Sequence, residues 1–178
     1  MKTLVIVSHP NLNSSRINKA WVEELQKHDN IIMHQLYNVY PNEEIDVAHE
    51  QKLLEAYDRI IFQYPLYWYS TPPLLKKWFD VVLQDGWAYG PGGDQMKGKE
   101  IGVAISTYGS AESYQRGGAN RFTIEEIVRP IEALCHFISA SYLSPFALSD
   151  VSNVTDEQLE QSKVDYMNYI SSVMTVAY

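Results

Sequence analysis

Cysteine is nearly absent: Cys135 is the only one in 178 residues. That excludes an intrachain disulfide and a cysteine-based metal cluster, and it fits a reducing compartment. Cys135 sits amid Ile131, Leu134 and Phe137, which suits a buried structural thiol better than a nucleophile. Long apolar runs are missing as well. The one near the N-terminus covers only Leu4 to Val7, too short for a secretory signal. Nothing approaches membrane-spanning length, so a cytoplasmic protein is expected. Positive charge is scarce. The formal charge of -8 argues against broad attraction to nucleic acid or anionic lipid, while leaving room for a local basic spot that holds one phosphate. Neither GxGxxG nor GxxxxGK[ST] occurs, so the two nucleotide-binding motifs with the strongest local signature are excluded. His28, His34, His49 and His136 are isolated in sequence and imply no metal site.

What is present describes one soluble domain over residues 1–178, with 46% apolar and 20% charged residues. The chain is organised around Arg59 to Leu83. Ile60-Ile61-Phe62 is a short apolar run of buried-strand type. Pro65-Leu66-Tyr67-Trp68-Tyr69 is a knot of aromatics. Ser70 or Thr71 then offers a helix N-cap, Pro72 or Pro73 suits the first helical position, and Leu74, Leu75, Trp78, Phe79 and Val82 repeat at helical spacing. A buried strand thus runs through an aromatic turn into an amphipathic helix. The aromatics either plug the top of the core or face a flat apolar ligand.

Thr3 to Val7 reads as the first strand. Ser8 to Ser15 is a loop of turn formers and hydroxyls, and the following helix carries Ile17, Trp21 and Leu25 on one face, capped by Ser14 or Ser15. A polar loop between a strand and a helix N-terminus is an anion site, because free N–H groups and the positive end of the helix dipole both point at it. Ser14, Ser15 and Asn18 add hydrogen bonds, and His9 or Arg16 can add a positive charge. Ordinary capping accounts for one serine but not for the cluster. Ile31 to Leu36 is the expected second strand, and a helix follows from about Val47 to Tyr57 with Leu53 and Leu54 inward. Gly86 to Gly93 is a long loop whose Trp87 and Tyr89 need cover that the loop cannot supply, such as a second subunit. Ile101 to Ser106 is the fourth strand, followed by the turn Thr107-Tyr108-Gly109-Ser110. Ile124 to Leu134 keep a helical period that Pro130 must kink or delay. Ile138 to Leu143 is the expected fifth strand, and Thr155 with Gln158 makes a capping box for a last helix reaching about Val173.

Five strands alternating with about five helices predict a doubly wound parallel sheet of order 2-1-3-4-5, with its switch point between the first and third strands. The polar loop, the aromatic turn and the Thr107 turn then share one edge. A phosphate at the first and a flat ring at the other two describe a mononucleotide, and flavin mononucleotide (FMN) fits best.

The chain resembles the flavodoxin-like NAD(P)H:quinone oxidoreductase family, including its short bacterial forms and the ancillary flavoproteins of potassium-efflux systems. Carrying the likeness are Ser8-His9-Pro10-Asn11 with Ser15 to Lys19, the run Phe62 to Pro73, Leu74 to Asp80, Gly86-Trp87-Ala88-Tyr89-Gly90 and the Thr107 turn. The resemblance implies that His9, Ser15, Arg16, Ile17 and Asn18 form the cofactor's phosphate loop. It implies that Pro65, Leu66, Tyr67, Trp68 and Tyr69 lie along the ribityl chain and the isoalloxazine edge. Ser106, Thr107, Tyr108 and Gly109 would face the pyrimidine end, Tyr114 the flavin carbonyl, and Tyr89 the substrate pocket of the other subunit of a homodimer. NAD(P)H is then the electron donor and a quinone-type small molecule the acceptor, with FMN favoured over FAD. Two departures stand out. Tyr108 replaces the first of two adjacent glycines, and Asn120 falls near a histidine that pairs with the Tyr114 equivalent in the animal enzymes. Other readings are a flavodoxin-type electron carrier, a regulatory subunit of a membrane antiporter, and a plain α/β binding module.

Overall fold

The computed structural model describes residues 2–172. Its elements are β1 (Thr3–Val7), α1 (Arg16–Leu25), β2 (Ile31–Gln35), α2 (Leu36–Val39), α3 (Val47–Glu55), β3 (Arg59–Pro65), α4 (Pro73–Val82), β4 (Glu100–Ser106), α5 (Ile124–Ile127), α6 (Arg129–Phe137), β5 (Ser141–Tyr142), β6 (Phe146–Leu148) and α7 (Asp156–Ser171). All pairings in the sheet are parallel. The order is β2-β1-β3-β4-β5, with β6 also on β4. This is the doubly wound order read from the sequence.

Strand side chains alternate between two cores. Leu4, Ile6, Ile60 and Phe62 face α3, α4 and α6, where they meet Leu54, Trp78, Phe79 and Ile131. Val5, Val7 and Ile61 face α1 and α7, where they meet Trp21, Leu25, Leu159 and Tyr166. Burial on both faces is why the central strands read as short apolar runs with no alternation. Cys135 is fully buried in the first core, and burial pushes its thiol up to about 12, so it stays protonated and packs. No helix among the described residues is long and apolar enough to cross a membrane.

Several boundaries differ from the sequence reading. The fifth strand is not Ile138–Leu143. Ile138 closes α6 and Ser139 turns the chain at φ 58°. Strand pairing then comes in two pieces, at Ser141–Tyr142 and Phe146–Leu148. Pro145 lies in the gap and has no N–H to give to a ladder. The late start expected at Pro130 is present: α5 ends at Ile127, the chain breaks at Val128, and α6 begins afresh with Pro130 in its first turn. Helix α4 is entered from Pro72, with no side-chain cap from Ser70 or Thr71. The capping box of Thr155 and Gln158 opens α7, and the end expected near Val173 lies outside the described residues.

Candidate functional site

The register places three chain ends side by side. Val7 of β1 lies opposite Gln63 of β3, and Pro65 of β3 lies opposite Ser106 of β4. The loops leaving these strands bound a groove of about 630 Å³ at the carboxyl edge of the sheet, where open α/β sheets bind ligands.

The first wall is the start of α1. Ser15 is its N-cap, and its hydroxyl accepts from the Asn18 N–H at 3.2 Å. The N–H groups of Arg16 and Ile17 have no carbonyl one turn earlier to bond, as at any helix start, and the dipole adds partial positive charge. His9 lines this wall. Burial lowers its pKa, so at neutral pH it is the uncharged imidazole and does not supply the positive charge that it or Arg16 could add. Its Nδ1 accepts from the Asn11 N–H at 3.0 Å, which leaves the ring proton on Nε2 as a donor. The Arg16 guanidinium is directed away, to the Val154 carbonyl and to Asp156 Oδ1 at 2.6 Å. The positive character of this end therefore comes from backbone N–H groups.

The second wall is the aromatic turn. Tyr67 and Ser70 exchange two backbone hydrogen bonds of 2.9 Å each, closing a two-residue hairpin over Trp68 and Tyr69. Both central residues are left-handed, with φ of 46° and 62°. Asn-Gly normally occupies such a turn, and two bulky aromatics there cost about 1–3 kcal/mol each. Trp68 gains no burial in exchange, being 94% exposed. The strain holds a flat side chain at the groove mouth, and a plug for the core does not describe it. Leu66 N–H donates to the Ser106 carbonyl at 2.9 Å, tying this turn to the end of β4.

The third wall is the turn after β4. Thr107 N–H is held by Leu148 and its carbonyl by Val151. Among the described residues, the N–H group of Tyr108 donates to no backbone carbonyl, while that of Gly109 faces the Tyr114 hydroxyl. Tyr108 is 82% exposed, so the ring that replaces a glycine stands over the groove. Beside it, a second cavity is lined by Leu66, Trp68, Tyr69, Tyr108, Gly109, Tyr114 and Asn120. Burial raises the Tyr114 pKa, which keeps its hydroxyl protonated and able to donate.

Asn120 closes that cavity through a chain of one sense. Tyr69 Oη donates to Asn120 Oδ1 at 3.0 Å, Asn120 Nδ2 donates to Ser113 Oγ at 3.0 Å, and Ser113 Oγ donates to the Ser110 carbonyl at 2.7 Å. The chain ends on a backbone oxygen and contains no carboxyl or imidazole, so it acts as a strut and not as a proton path. Gly109 lies under it. A Cβ there would come within 2.7 Å of Ser113 Oγ, 2.9 Å of Tyr114 Cε2 and 3.0 Å of Asn120 Nδ2. Gly109→Ala is therefore expected to displace Tyr114 and Asn120 and to weaken ligand binding about tenfold or more, with little loss of secondary structure. Circular dichroism with a ligand titration checks both halves.

Twelve residues expected at the cofactor line the groove, from His9 and Ser15 to Asn18, through Pro65 to Trp68, to Ser106, Thr107 and Tyr108. Tyr69, Gly109 and Tyr114 line the adjoining cavity. Asn11 and Ser14 of the polar loop also line the groove, as do Val151 and Ser152, which the sequence does not mark out. The last two follow β6, and the turn formers Ser149-Asp150 were their only local signal. Within its own subunit Tyr89 lines a neighbouring cavity of about 380 Å³ between α4 and α6, which shares Leu66 and Tyr69 with the adjoining cavity, and its ring lies 4.9 Å from Phe137. Its loop does not lack internal cover. Trp87 is half-buried and its indole N–H donates to Glu55 at 3.0 Å, while Gly86 N–H bonds the Tyr89 carbonyl. The glycines let the loop fold back on the first core.

A family model described as flavodoxin-like fold matches residues 1–170. The chain belongs to that family. Among relatives of this flavodoxin-like protein, general stress protein 14 of Bacillus subtilis (strain 168) is 51% identical over 170 residues, covering 96% of this chain and 97% of that one. The crystal structure of a general stress protein 14 from Treponema denticola in complex with FMN superposes with a TM-score of 0.94 at 39% identity, covering 98% of this chain and 100% of that one. An NADPH-quinone reductase from P. pentosaceus superposes with a TM-score of 0.90 at 34% identity, again covering 98% and 100%.

Proposed function

We propose that the chain is a single FMN-binding domain that catalyses two-electron reduction of quinones or similar flat acceptors by NAD(P)H. The observation that carries this reading is the groove itself, with an anion-binding helix start at one end and two aromatic-bearing turns at the other. The residues fit the group. A helix N-terminus with Ser15 and neutral His9 suits a phosphate, and Trp68 and Tyr108 offer flat apolar surface to a ring system. The unpaired N–H group at Tyr108 suits a carbonyl oxygen on its polar edge. The similarity to an FMN complex and to an NADPH-quinone reductase supports the same assignment.

Bound there, FMN supplies the hydride chemistry, accepting from a nicotinamide and passing two electrons to the acceptor. What the protein adds is position and polarity. The Thr107 turn aims an N–H donor where negative charge accumulates, and neutral Tyr114 contributes a further donor. Tyr69, fixed by Asn120, walls the cavity where donor and acceptor take turns. The subunit works as a homodimer in the cytoplasm, with Tyr89 reaching the site of the other copy.

Mixing the flavin-loaded protein with NAD(P)H in a stopped-flow instrument, without acceptor, should bleach the flavin absorbance. Adding quinone should then restore it, and steady-state double-reciprocal lines should run parallel because donor and acceptor alternate. Tyr89→Ala should raise the KM for quinone with FMN binding within about twofold. Intersecting lines would mean that both ligands bind together. Failure of NAD(P)H to bleach the flavin, with success by a reduced protein donor, would replace the enzyme by an electron carrier.

A further inference from the structure

Beneath the groove lies a buried amide relay that the cofactor-binding residues do not by themselves explain. Gln63 of β3 is completely buried. Its Nε2 lies 3.1 Å from the Asn18 main-chain oxygen and 3.3 Å from Asn18 Oδ1. Its Oε1 lies 3.1 Å from Tyr166 Oη on α7. Asn18 Nδ2 in turn lies 2.9 Å from Ser106 Oγ and 3.5 Å from Ser15 Oγ.

The directions of these bonds follow from one fixed point. A main-chain carbonyl only accepts, so the Gln63 amine must face Asn18, and its carbonyl must face Tyr166. Burial holds the Tyr166 hydroxyl well above its ordinary pKa, so it is protonated and donates to that carbonyl. The second proton of the Gln63 amine meets Asn18 Oδ1, which leaves the Asn18 amine facing Ser106. Ser106 Oγ therefore accepts from Asn18, and Ser15 Oγ accepts from the Asn18 backbone N–H. Each hydroxyl keeps one proton to give. Neither donates to a protein acceptor among the described residues, and both line the groove.

We propose that Gln63 is a positioning residue which, through Asn18, makes the Ser106 hydroxyl, beside that of the capping Ser15, an obligate donor to an oxygen-rich anionic group in the groove, and so sets a preference for the phosphorylated over the unphosphorylated flavin. The inference rests on the FMN reading for the identity of the ligand, and on the bond directions for the role of Gln63. It assigns Ser106, 2.9 Å from Asn18 at the start of α1, to the phosphate end and not to the pyrimidine end that the resemblance implied. Without Gln63 the Asn18 side chain is free to turn its carbonyl toward Ser106, whose proton would then be used inside the protein.

The test compares FMN with riboflavin by quenching of flavin fluorescence, in the intact chain and in two buried variants. Gln63→Met keeps the side-chain length and removes the amide. It should weaken FMN about tenfold, the size of one hydrogen bond to a charged group, with riboflavin affinity changed less than twofold. Tyr166→Phe removes the outer partner but leaves the Gln63 orientation to the Asn18 carbonyl, so it should lower the unfolding midpoint without changing the FMN-to-riboflavin ratio. Equal weakening of both flavins by Gln63→Met, or of neither, would reduce Gln63 to a core filler and overturn the proposal. If Gln63→Met does not fold, Ser106→Ala carries the test at the groove surface. The same selective loss is expected, and an equal loss overturns it. Should the intact chain bind neither flavin, the FMN reading falls separately. Inorganic phosphate is then the probe. It should raise the unfolding midpoint of the intact chain more than that of Gln63→Met, and equal shifts would refute the donor role.

Discussion

Asn18→Asp is expected to weaken FMN binding by about 100-fold or more. Two losses combine. The carboxylate has no proton for Ser106 Oγ, which Asn18 Nδ2 now contacts at 2.9 Å, and a hydrogen bond to or near a charged group is worth about 1.5–3 kcal/mol. The new negative charge also sits in the first turn of α1, where the proposed phosphate lies, and Asn18 is only 1% exposed, so little solvent intervenes to screen the repulsion. The fold should tolerate the change better than the ligand does, since an acidic residue in a first helical turn is favourable toward the dipole. Titration of FMN into both proteins by fluorescence quenching measures the ratio. A loss below threefold would mean that the α1 N-terminus is not the phosphate end of the groove.

The second large effect falls far from the groove. Glu50 on α3 is completely buried. Its Oε1 accepts from His34 Nε2 at 2.8 Å and from Tyr40 Oη at 2.5 Å, and its Oε2 accepts from the Trp78 indole at 2.8 Å. One carboxylate thus joins β2, α2, α3 and α4. Glu50→Ala strands three buried donors and opens a cavity, at a cost of about 3–5 kcal/mol. For a chain of this size that lowers the unfolding midpoint by roughly 6–20 °C. Glu50→Gln keeps the shape and should lie between the two. Burial by itself would raise the Glu50 pKa, but the hydrogen bonds from His34, Tyr40 and Trp78 together bring it below the ordinary value. A depressed carboxylate contributes stability that is present above its unfolded pKa and is lost as pH falls through the folded one. The difference in midpoint between the natural chain and Glu50→Gln should therefore be full at pH 7 and shrink as pH drops below about 4. A difference independent of pH would mean that the carboxyl is already protonated in the folded state.

Glu50 also marks a limit of reading by pattern. On an amphipathic helix an acidic residue is assigned to the solvated face, and Val47 to Tyr57 gave no reason to do otherwise. Its partners come from three other segments, with His34 sixteen positions earlier and Trp78 twenty-eight later. Arg59 is a similar case. It is fully buried, held by Glu100 and by the Ile170 carbonyl, although it stands in the sequence as the charged boundary of a strand.

From the sequence alone came the features that local chemistry dictates. Short apolar runs such as Leu4–Val7, Ile60–Phe62 and Ile101–Ile105, separated by helical periods, bury both faces in a parallel sheet covered by helices, and the crossover rule then limits the strand order. The loops after β1, β3 and β4 must lie on one edge because those strands are parallel neighbours. For that reason the groove residues were legible without coordinates. Cap residues were legible too, where a hydroxyl lies three positions before its partner, as at Ser15 and Thr155. Tertiary structure alone decided the rest. It split the last strand at Pro145, folded Trp87 and Tyr89 onto their own core, took the charge from His9 and turned Arg16 toward Asp156. It also set Gln63 between Asn18 and Tyr166, 45 and 103 positions away. Bond directions of that kind have no periodic signature, because they depend on which polar atoms meet only after distant segments have packed and water has left.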